Sequence, residues 1–347
     1  MALDVGHSES QSLLLPADSD EDSAVAVNDD LLSVASLTSS VRRVVVENGR
    51  TYHSLSEGKY CLPNDEEEQD RLDMQHHQFL VTFDGKLHFA PGADNARRVL
   101  DAGTGTGIWA IDYGKLPLVP LLWRPYLHPV IGVDLSPIQP SYVPPNCSFE
   151  IEDLETEWTW SRPFDYIFSR MLVGSFADFP QFADQAYKHL VPGGYIELTN
   201  PIFPLISDDG TLDTSPVLKE WCDLLLEASK NLGRPLDAAN NHRETLTNAG
   251  FTDVNVLTFK WPINRWPKNP KDKQVGLWTQ ANLSSGLEAL SLALMTRGLG
   301  WDKEKVFAYL TLVRKDLRNP KIHAYWPIVV AYGQKPKSSS PAPSADL

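Results

Sequence analysis

The sequence contains few cysteines and, for its 347 residues, few basic side chains. Its three cysteines, Cys61, Cys147 and Cys222, include no CxxC pair, so we expect neither a disulfide framework nor a metal site. Lysine and arginine together number 31 against 45 acidic residues, which gives a formal net charge of −14. A surface of this charge repels a phosphate backbone, and the composition therefore predicts no nucleic-acid partner.

A long apolar run free of prolines is also absent. The most apolar stretch, residues 116–133, contains four prolines together with Arg124 and His128, which would leave polar groups unsatisfied in lipid. The N-terminus has no basic region followed by an apolar segment, so no secretory signal is expected. These features predict no membrane partner and a cytoplasmic or nuclear rather than a secreted protein.

The two ends of the chain have compositions typical of disordered segments. Residues 1–41 contain eight acidic residues, many serines and no lysine or arginine, so charges repel one another with little apolar surface to oppose them. Residues 335–347 are rich in serine and proline. We therefore predict disordered tails at 1–41 and 335–347 and one folded domain at 42–334.

Between the tails, short apolar segments alternate with helical patterns. A helix is predicted at 182–190 and a turn at 191–194. This alternation favours a parallel α/β sheet with helices on both faces. The predicted strands of this region are 97–102, 129–134, 146–152, 164–168 and 195–198.

After about residue 210 the pattern becomes mainly helical. Leucines recur at spacings of four and three from Leu283 to Leu294, which defines one apolar helical face. Two further strands, at 254–259 and 325–331, bracket the last two predicted helices. We therefore predict that helical elements within about 213–320 form a cap inserted near the end of the sheet.

A glycine-rich turn follows the first of these strands, which ends in Asp101. Ile108 stands where a dinucleotide fingerprint has glycine, and the lysine of a phosphate-binding loop is missing. The pattern favours a ligand with an ammonium group and a nucleoside but no phosphate, with Asp101 facing the ammonium. A glycine turn without a ligand is the alternative. The candidate contacts of the turn are Gly103, Thr104, Gly105, Thr106 and Gly107.

Acidic residues also end the next two predicted strands. Asp134 is placed where a carboxylate can accept hydrogen bonds from both ribose hydroxyls, with a helix cap near Ser136 as the alternative. Asp153 is placed to hold an adenine amino group, a role for which Glu152 and Glu155 compete. The candidate contacts of these strand ends are Asp134, Leu135, Asp153 and Leu154.

On these residues the chain resembles class I S-adenosylmethionine-dependent methyltransferases and, more narrowly, the fungal LaeA-like group. The resemblance covers about residues 48–335 and rests on segments such as ENGRTYHS, VLDAGTGTGIWAID, RMLVGSF, LVPGGYIEL and KWPINRWP. It implies a Rossmann-like αβα sandwich, with a seven-stranded, mostly parallel sheet, a late antiparallel strand and a helical cap. It also implies S-adenosyl-L-methionine as the cofactor and a small secondary metabolite or a protein as the methyl acceptor. Since some members control secondary metabolism, a regulator acting mainly through nuclear protein partners is the alternative function.

One segment departs from the pattern of this family. Residues 114–129 are proline-rich and apolar where the family has a shorter, charged helix end. They extend the distance from Asp101 to Asp134 to 33 residues, against about 20 for such a unit. An insertion or a gene-model error would explain the segment, and either would alter the helix after Gly107 and the seating of the cofactor.

The chemistry itself leaves the catalytic residue open. Methyl transfer requires an aligned acceptor and the exclusion of water, whereas the need for a general base depends on the acceptor. His76 and His77 lie on a helix that the resemblance places over the cofactor, and they are candidates for a base or for binding the acceptor, with structural histidines as the alternative. Glu197 lies at the carboxyl end of a strand, and an exposed strand position is its alternative.

Three further residues complete the candidate site. Arg170 follows the fourth predicted strand and is a candidate partner of the cofactor carboxylate, with capping of the sheet edge as the alternative. Trp261 and Trp266 either line the acceptor pocket or pack in the core. A nicotinamide-dependent oxidoreductase is a third hypothesis, which Ile108 disfavours.

Overall fold

The computed structural model describes residues 44–116 and 128–337. The predicted tail at 1–41 lies outside the described residues, as do residues 338–347 of the second tail and residues 117–127 of the unusual segment. The predicted tails and domain boundaries therefore stay predictions.

A hairpin precedes the main sheet in the chain. Strands β1 (Val44–Glu47) and β2 (Arg50–His53) pair antiparallel. The turn between them contains Asn48 and Gly49, with φ angles of 54° and 87°. Asparagine followed by glycine is the pair that tolerates this conformation best, which explains the tight connection.

The main sheet is mostly parallel. Strands β5, β4, β3, β6 and β7 are parallel neighbours in that order, and β10 runs antiparallel to both β7 and β9. The predicted class is confirmed, but a short β8 paired with the start of β10 gives eight described strands rather than seven. The strands are β3 (Val99–Ala102), β4 (Val130–Asp134), β5 (Cys147–Ile151), β6 (Phe164–Arg170), β7 (Leu190–Pro201), β8 (Ile206–Ser207), β9 (Thr252–Pro262) and β10 (Ala324–Gln334).

Seven α-helices occur among the described residues. Five begin at a side chain that accepts a backbone N–H of the first turn: Asp65, Asp178, Ser215, Asn269 and Asp302. The helices are α1 (Glu66–Thr82), α2 (Ile108–Lys115), α3 (Phe179–His189), α4 (Pro216–Asn231), α5 (His242–Asn248), α6 (Pro270–Ala293) and α7 (Lys303–Leu317).

The strands predicted from the sequence and the helix predicted at 182–190 are present, with bounds that differ by a few residues. Strands β3 and β4 are buried along nearly their whole length, as expected where helices cover both faces of a sheet. The predicted turn at 191–194 is wrong, because these residues belong to β7. The register against β6 shifts there and Gly193 has φ +86°, so the prolyl-glycyl-glycine sequence forms an irregularity within the strand.

The late helices form a layer of their own. Helices α6 and α7 lie between β9 and β10 in the chain, as predicted, and they share a buried core with α4 through Trp221, Leu287 and Leu310. Helix α1 packs against α6, where Gln78 Nε2 donates to Thr279 Oγ1 at 2.8 Å. Residues of α1, α4 and α6 line the same cavity as the carboxyl ends of β3, β4 and β6.

Candidate active site

A cavity of about 240 Å³ lies at the carboxyl ends of β3, β4 and β6. Its walls come from the glycine turn and strand ends, from the N-terminal part of the chain up to Gln75, and from the late helices. Ten of the eleven predicted cofactor contacts line it: Asp101, Gly103, Thr104, Gly105, Thr106, Asp134, Leu135, Asp153, Leu154 and Arg170. Gly107 is not part of the lining.

Glycine is present at the three positions of the turn for reasons that differ in part. All have positive φ: +71° at Gly103, +58° at Gly105 and +80° at Gly107. A Cβ on Gly103 would lie 2.4 Å from Leu172 Cδ2, and a Cβ on Gly107 would lie 2.3 Å from Phe149 Cζ. A Cβ on Gly105 would have its nearest neighbour at 3.5 Å. The positive φ favours glycine at all three positions, close packing against the Phe149 ring adds to this at Gly107, and Gly105 leaves the backbone open towards the cavity.

Asp101 and Arg170, which have opposite charges, both line the cavity but do not form an ion pair with each other. Asp101 is 3% exposed and accepts a hydrogen bond from Thr104 Oγ1 at 2.6 Å, and burial raises its pKa to about 7. Burial lowers the pKa of Arg170 to about 10. No carboxylate among the described residues lies within ion-pair distance of the Arg170 guanidinium, which rests 4.5 Å above the Phe79 ring. The site therefore holds a buried carboxyl group and a half-buried guanidinium, and burial disfavours the charged form of each.

His76 contacts Arg170 and does not line the cavity. Its Nδ1 lies 3.1 Å from Arg170 Nη2, and because arginine can only donate, Nδ1 accepts and Nε2–H donates to Asp112 Oδ2 at 3.2 Å. Burial and the neighbouring Arg170 charge lower the pKa of His76 to about 4, so the ring is neutral. His77 is exposed and packs edge-on against Trp278 at 4.6 Å. Neither histidine lines the cavity.

Asp134 anchors the glycine turn. Its Oδ2 accepts from Gly105 N at 2.8 Å and its Oδ1 accepts from Ser136 N at 3.0 Å, while burial raises its pKa to about 6. The alternative role as a helix cap is wrong, because residues 135–146, all of which the structure describes, form no helix. The backbone N–H of Leu135 is a third partner, and a carboxylate with about four acceptor sites still has room for a ligand hydroxyl.

Asp153 is held by the N-terminal segment. Its Oδ2 accepts from Ser56 Oγ and from Lys59 Nζ, both at 2.6 Å. Burial opposes ionisation, but these hydrogen bonds outweigh it and lower the pKa of Asp153. Of the competing acids, Glu155 pairs with Arg234 at 2.6 Å, and Glu152 also lines the cavity.

Glu197 is buried away from the cavity and bonds to the protein backbone. It is 1% exposed, so the alternative of an exposed strand position is wrong, and it does not line the cavity. Its Oε2 accepts from the backbone N–H groups of Phe89 and Ala90 at 2.8 and 2.7 Å and from Tyr166 Oη at 3.0 Å. Burial raises its pKa to about 7. The carboxyl group fixes residues 89–90 against the sheet.

Sequence reasoning missed several walls of the cavity. Lys59, Tyr60 and Arg71 line it from the N-terminal part of the chain, and no local pattern marks them. Leu283 and Leu290 also line it, although their spacing alone indicates an ordinary helical core face. Of the two predicted tryptophans, Trp261 lines the cavity and Trp266 does not. The indole N–H of Trp266 donates to Ala324 O.

Residues 74–256, just over half of the chain, match the family described as methyltransferase domain. The chain belongs to this methyltransferase family. Methyltransferase pytC of Aspergillus terreus is 38% identical over 304 residues, covering 88% of this chain and 92% of pytC. The secondary metabolism regulator LAE1 of Cochliobolus heterostrophus is 38% identical over 300 residues, covering 84% of this chain and 95% of LAE1. The protein-methionine methyltransferase laeA of Emericella nidulans is 36% identical over 299 residues, with coverages of 84% and 76%.

These matches confirm the central predictions for this methyltransferase. The LaeA-like group, the methyltransferase activity and S-adenosylmethionine as the methyl donor agree with the family and with the named relatives.

Within the described ranges, no helix is long and apolar enough to cross a membrane. In the same residues, no three side chains of histidine, cysteine, aspartate or glutamate are grouped to hold a metal ion.

Proposed function

We propose that the amino-acid end of S-adenosylmethionine is bound between Asp101 and Arg170, and that a methyl acceptor is bound beneath the late helices. The observation that carries the proposal is that the buried Asp101 and the half-buried Arg170, which have opposite charges, line the same cavity without an ion pair between them. A ligand carrying both an ammonium and a carboxylate satisfies both charges at once. Such charge-assisted hydrogen bonds are stronger than neutral ones, which offsets the burial of the two groups.

The remaining roles follow from the order of the strands. Asp134 lies at the end of β4, next to Gly105, and is assigned to the ribose hydroxyls. Asp153 follows β5 and is assigned to the adenine amino group, with Lys59 and Ser56 as its partners in the present arrangement. Leu135 and Leu154 supply apolar contacts to the nucleoside.

The chain contributes binding, orientation and exclusion of water. Bound between these residues, S-adenosylmethionine would supply an activated methyl group to a lone pair of the acceptor, with the carbon–sulfur bonding pair staying on sulfur. Asp101 and Arg170 fix one end of the donor, and the open backbone at Gly105 allows close approach. Trp221 and Trp261 enclose the acceptor side of the cavity and keep it dry. His76 acts as a positioning residue for Arg170.

The charge assignment is tested by two matched ligands in titration calorimetry. S-adenosylhomocysteine carries the amino-acid end, and 5′-deoxy-5′-methylthioadenosine lacks it. Arg170→Met should weaken S-adenosylhomocysteine binding by about 10- to 100-fold, because a charged hydrogen bond contributes about 1.5–3 kcal/mol. Binding of methylthioadenosine should not change. Equal losses for both ligands, or no loss for either, would contradict the assignment.

We propose further that the protein acts in secondary metabolism, on a small metabolite or a protein in the cytoplasm or nucleus. The similarity to LAE1 over 95% of that regulator supports this role. A strain lacking the gene should show an altered metabolite profile that the wild-type chain restores. If methyl transfer is needed, the Arg170→Met chain should fail to restore the profile. Full restoration by that variant would favour a regulator acting through protein partners.

A further inference from the structure

The part of the cavity beneath the late helices is built from apolar rings and leucines. We call it the cap pocket and define it by Phe203, Trp221, Trp261, Leu283, Leu290 and Trp326, all of which line the cavity. Its residues come from α4, α6, β9, β10 and the segment after β7. The candidate cofactor contacts lie at the other part of the same cavity.

Hydrogen bonds and ring packing fix the orientation of the tryptophan rings in the cap pocket. Trp221 Nε1 donates to Ser291 Oγ at 3.0 Å, and Trp261 Nε1 donates to Thr82 Oγ1 at 2.8 Å. Trp326 packs against Phe203 and Trp221 with ring centroids 5.9 and 6.0 Å apart. Because two of the indole N–H groups already have partners, these two rings offer mainly carbon surface to a ligand.

The charges along the cavity are unevenly distributed. The acidic residues of the lining all belong to the strand ends: Asp101, Asp134, Glu152, Asp153 and Glu155. Arg71 also lines the cavity, but it forms a buried, bidentate ion pair with Glu68 at 2.6 and 2.8 Å. Its remaining nitrogen donates to Asn282 Oδ1 at 2.8 Å. None of the six described residues that define the cap pocket is charged, so this pocket itself offers a charged acceptor no counter-charge.

We infer that the methyl acceptor is an uncharged small molecule with a planar, apolar ring system, bound in the cap pocket. This inference rests on the proposed function, which places the donor at the neighbouring strand ends. A planar ring matches four aromatic side chains, which prefer offset or edge-to-face contact with another ring. A charged acceptor would lose its hydration there without gaining a counter-charge. Of the basic residues elsewhere in the lining, Lys59 pairs with Asp153, Arg71 pairs with Glu68, and Arg170 is assigned to the donor.

Three probes distinguish the acceptor classes in the presence of saturating S-adenosylhomocysteine. 2-Acetylnaphthalene is neutral, 2-naphthoate carries a negative charge on the same rings, and N-acetylmethioninamide represents an apolar protein side chain. Calorimetry should show 2-acetylnaphthalene binding at least about tenfold more tightly than either of the others. Equal or tighter binding of 2-naphthoate would overturn the inference. Tighter binding of N-acetylmethioninamide would also overturn it and would favour a protein acceptor.

Two substitutions on helix α6 locate the binding. Leu290 is half-buried and lines the cap pocket, whereas Leu277 is 44% exposed on the same helix and does not line it. Leu290→Lys should weaken 2-acetylnaphthalene binding at least about tenfold and strengthen 2-naphthoate binding, while Leu277→Lys should change neither. If Leu290→Lys lowers the melting temperature sharply, Leu290→Trp provides an uncharged variant that fills the pocket and should displace 2-acetylnaphthalene.

The outcomes separate the inference from the function on which it rests. The same variant response for Leu290 and Leu277 would overturn the cap pocket as the acceptor site. S-adenosylhomocysteine is titrated first, without any probe. Failure of this ligand to bind the wild-type chain would overturn the proposed function. If it binds but the three probes then bind with equal affinity or not at all, only the acceptor inference is overturned.

Discussion

Replacing Asp101 by asparagine tests whether this carboxyl group is kept for a ligand at the expense of stability. Burial raises the pKa of Asp101 from 3.8 to about 7. The folded state therefore binds the proton more tightly than the unfolded state, and stability falls as the pH rises from about 4 through 7. A shift of about three units at 1.36 kcal/mol per unit corresponds to roughly 4 kcal/mol at pH 8, as an upper limit.

Asparagine removes this ionisation and keeps an oxygen that accepts from Thr104 Oγ1. Asp101→Asn should therefore raise the free energy of unfolding at pH 8, by up to about 4 kcal/mol, and the gain should shrink as the pH falls towards 4. The same change should weaken S-adenosylhomocysteine binding about 10- to 100-fold, because the charge facing the ammonium is lost. The variant should be more stable and less functional.

The assay combines calorimetric melting between pH 4 and 8 with titration of S-adenosylhomocysteine at pH 8. Asp184→Asn, on the exposed side of α3, is the matched control and should change neither quantity. A lower melting temperature of Asp101→Asn at pH 8 would refute the burial argument. An unchanged affinity would refute the role of Asp101 towards the ammonium.

Three further predictions follow from the site. Gly107→Ala should lower the melting temperature, because its Cβ would lie 2.3 Å from Phe149; an unchanged melting temperature would refute this. Asp134→Ala should weaken S-adenosylhomocysteine binding about 10- to 100-fold in calorimetry, and normal affinity would rule out the ribose role. His76→Asn keeps an acceptor for Arg170 and should bind this ligand nearly as wild type, whereas His76→Phe should lose about tenfold; equal affinities would contradict the positioning role.

Much of the sheet was predictable because local patterns carry the information. A parallel strand buried on both faces, such as β3, reads as a short apolar run, and its end is marked by Asp101 and the glycines that follow. The positive φ angles of Gly103 and Gly105 explain why the turn requires these residues. The strand ends and the turn could therefore be placed from sequence.

The other walls of the cavity depend on contacts between distant parts of the chain. Lys59 and Asp153 are 94 residues apart, and nothing near either residue indicates the pair. Glu197 could not be distinguished from a site residue because its backbone partners, Phe89 and Ala90, precede it by more than 100 residues. Leu290 has the spacing of a core residue, since a pocket wall and a packed core share the same apolar period.

The central claim is that the donor binds between Asp101 and Arg170 at the carboxyl ends of β3 and β6. A crystal structure of the chain with S-adenosylhomocysteine tests it most directly. We expect the ligand ammonium within hydrogen-bond distance of Asp101, its carboxylate on Arg170 and its ribose hydroxyls on Asp134. A ligand bound elsewhere, or one whose amino-acid end leaves both Asp101 and Arg170 without contact, would contradict the account.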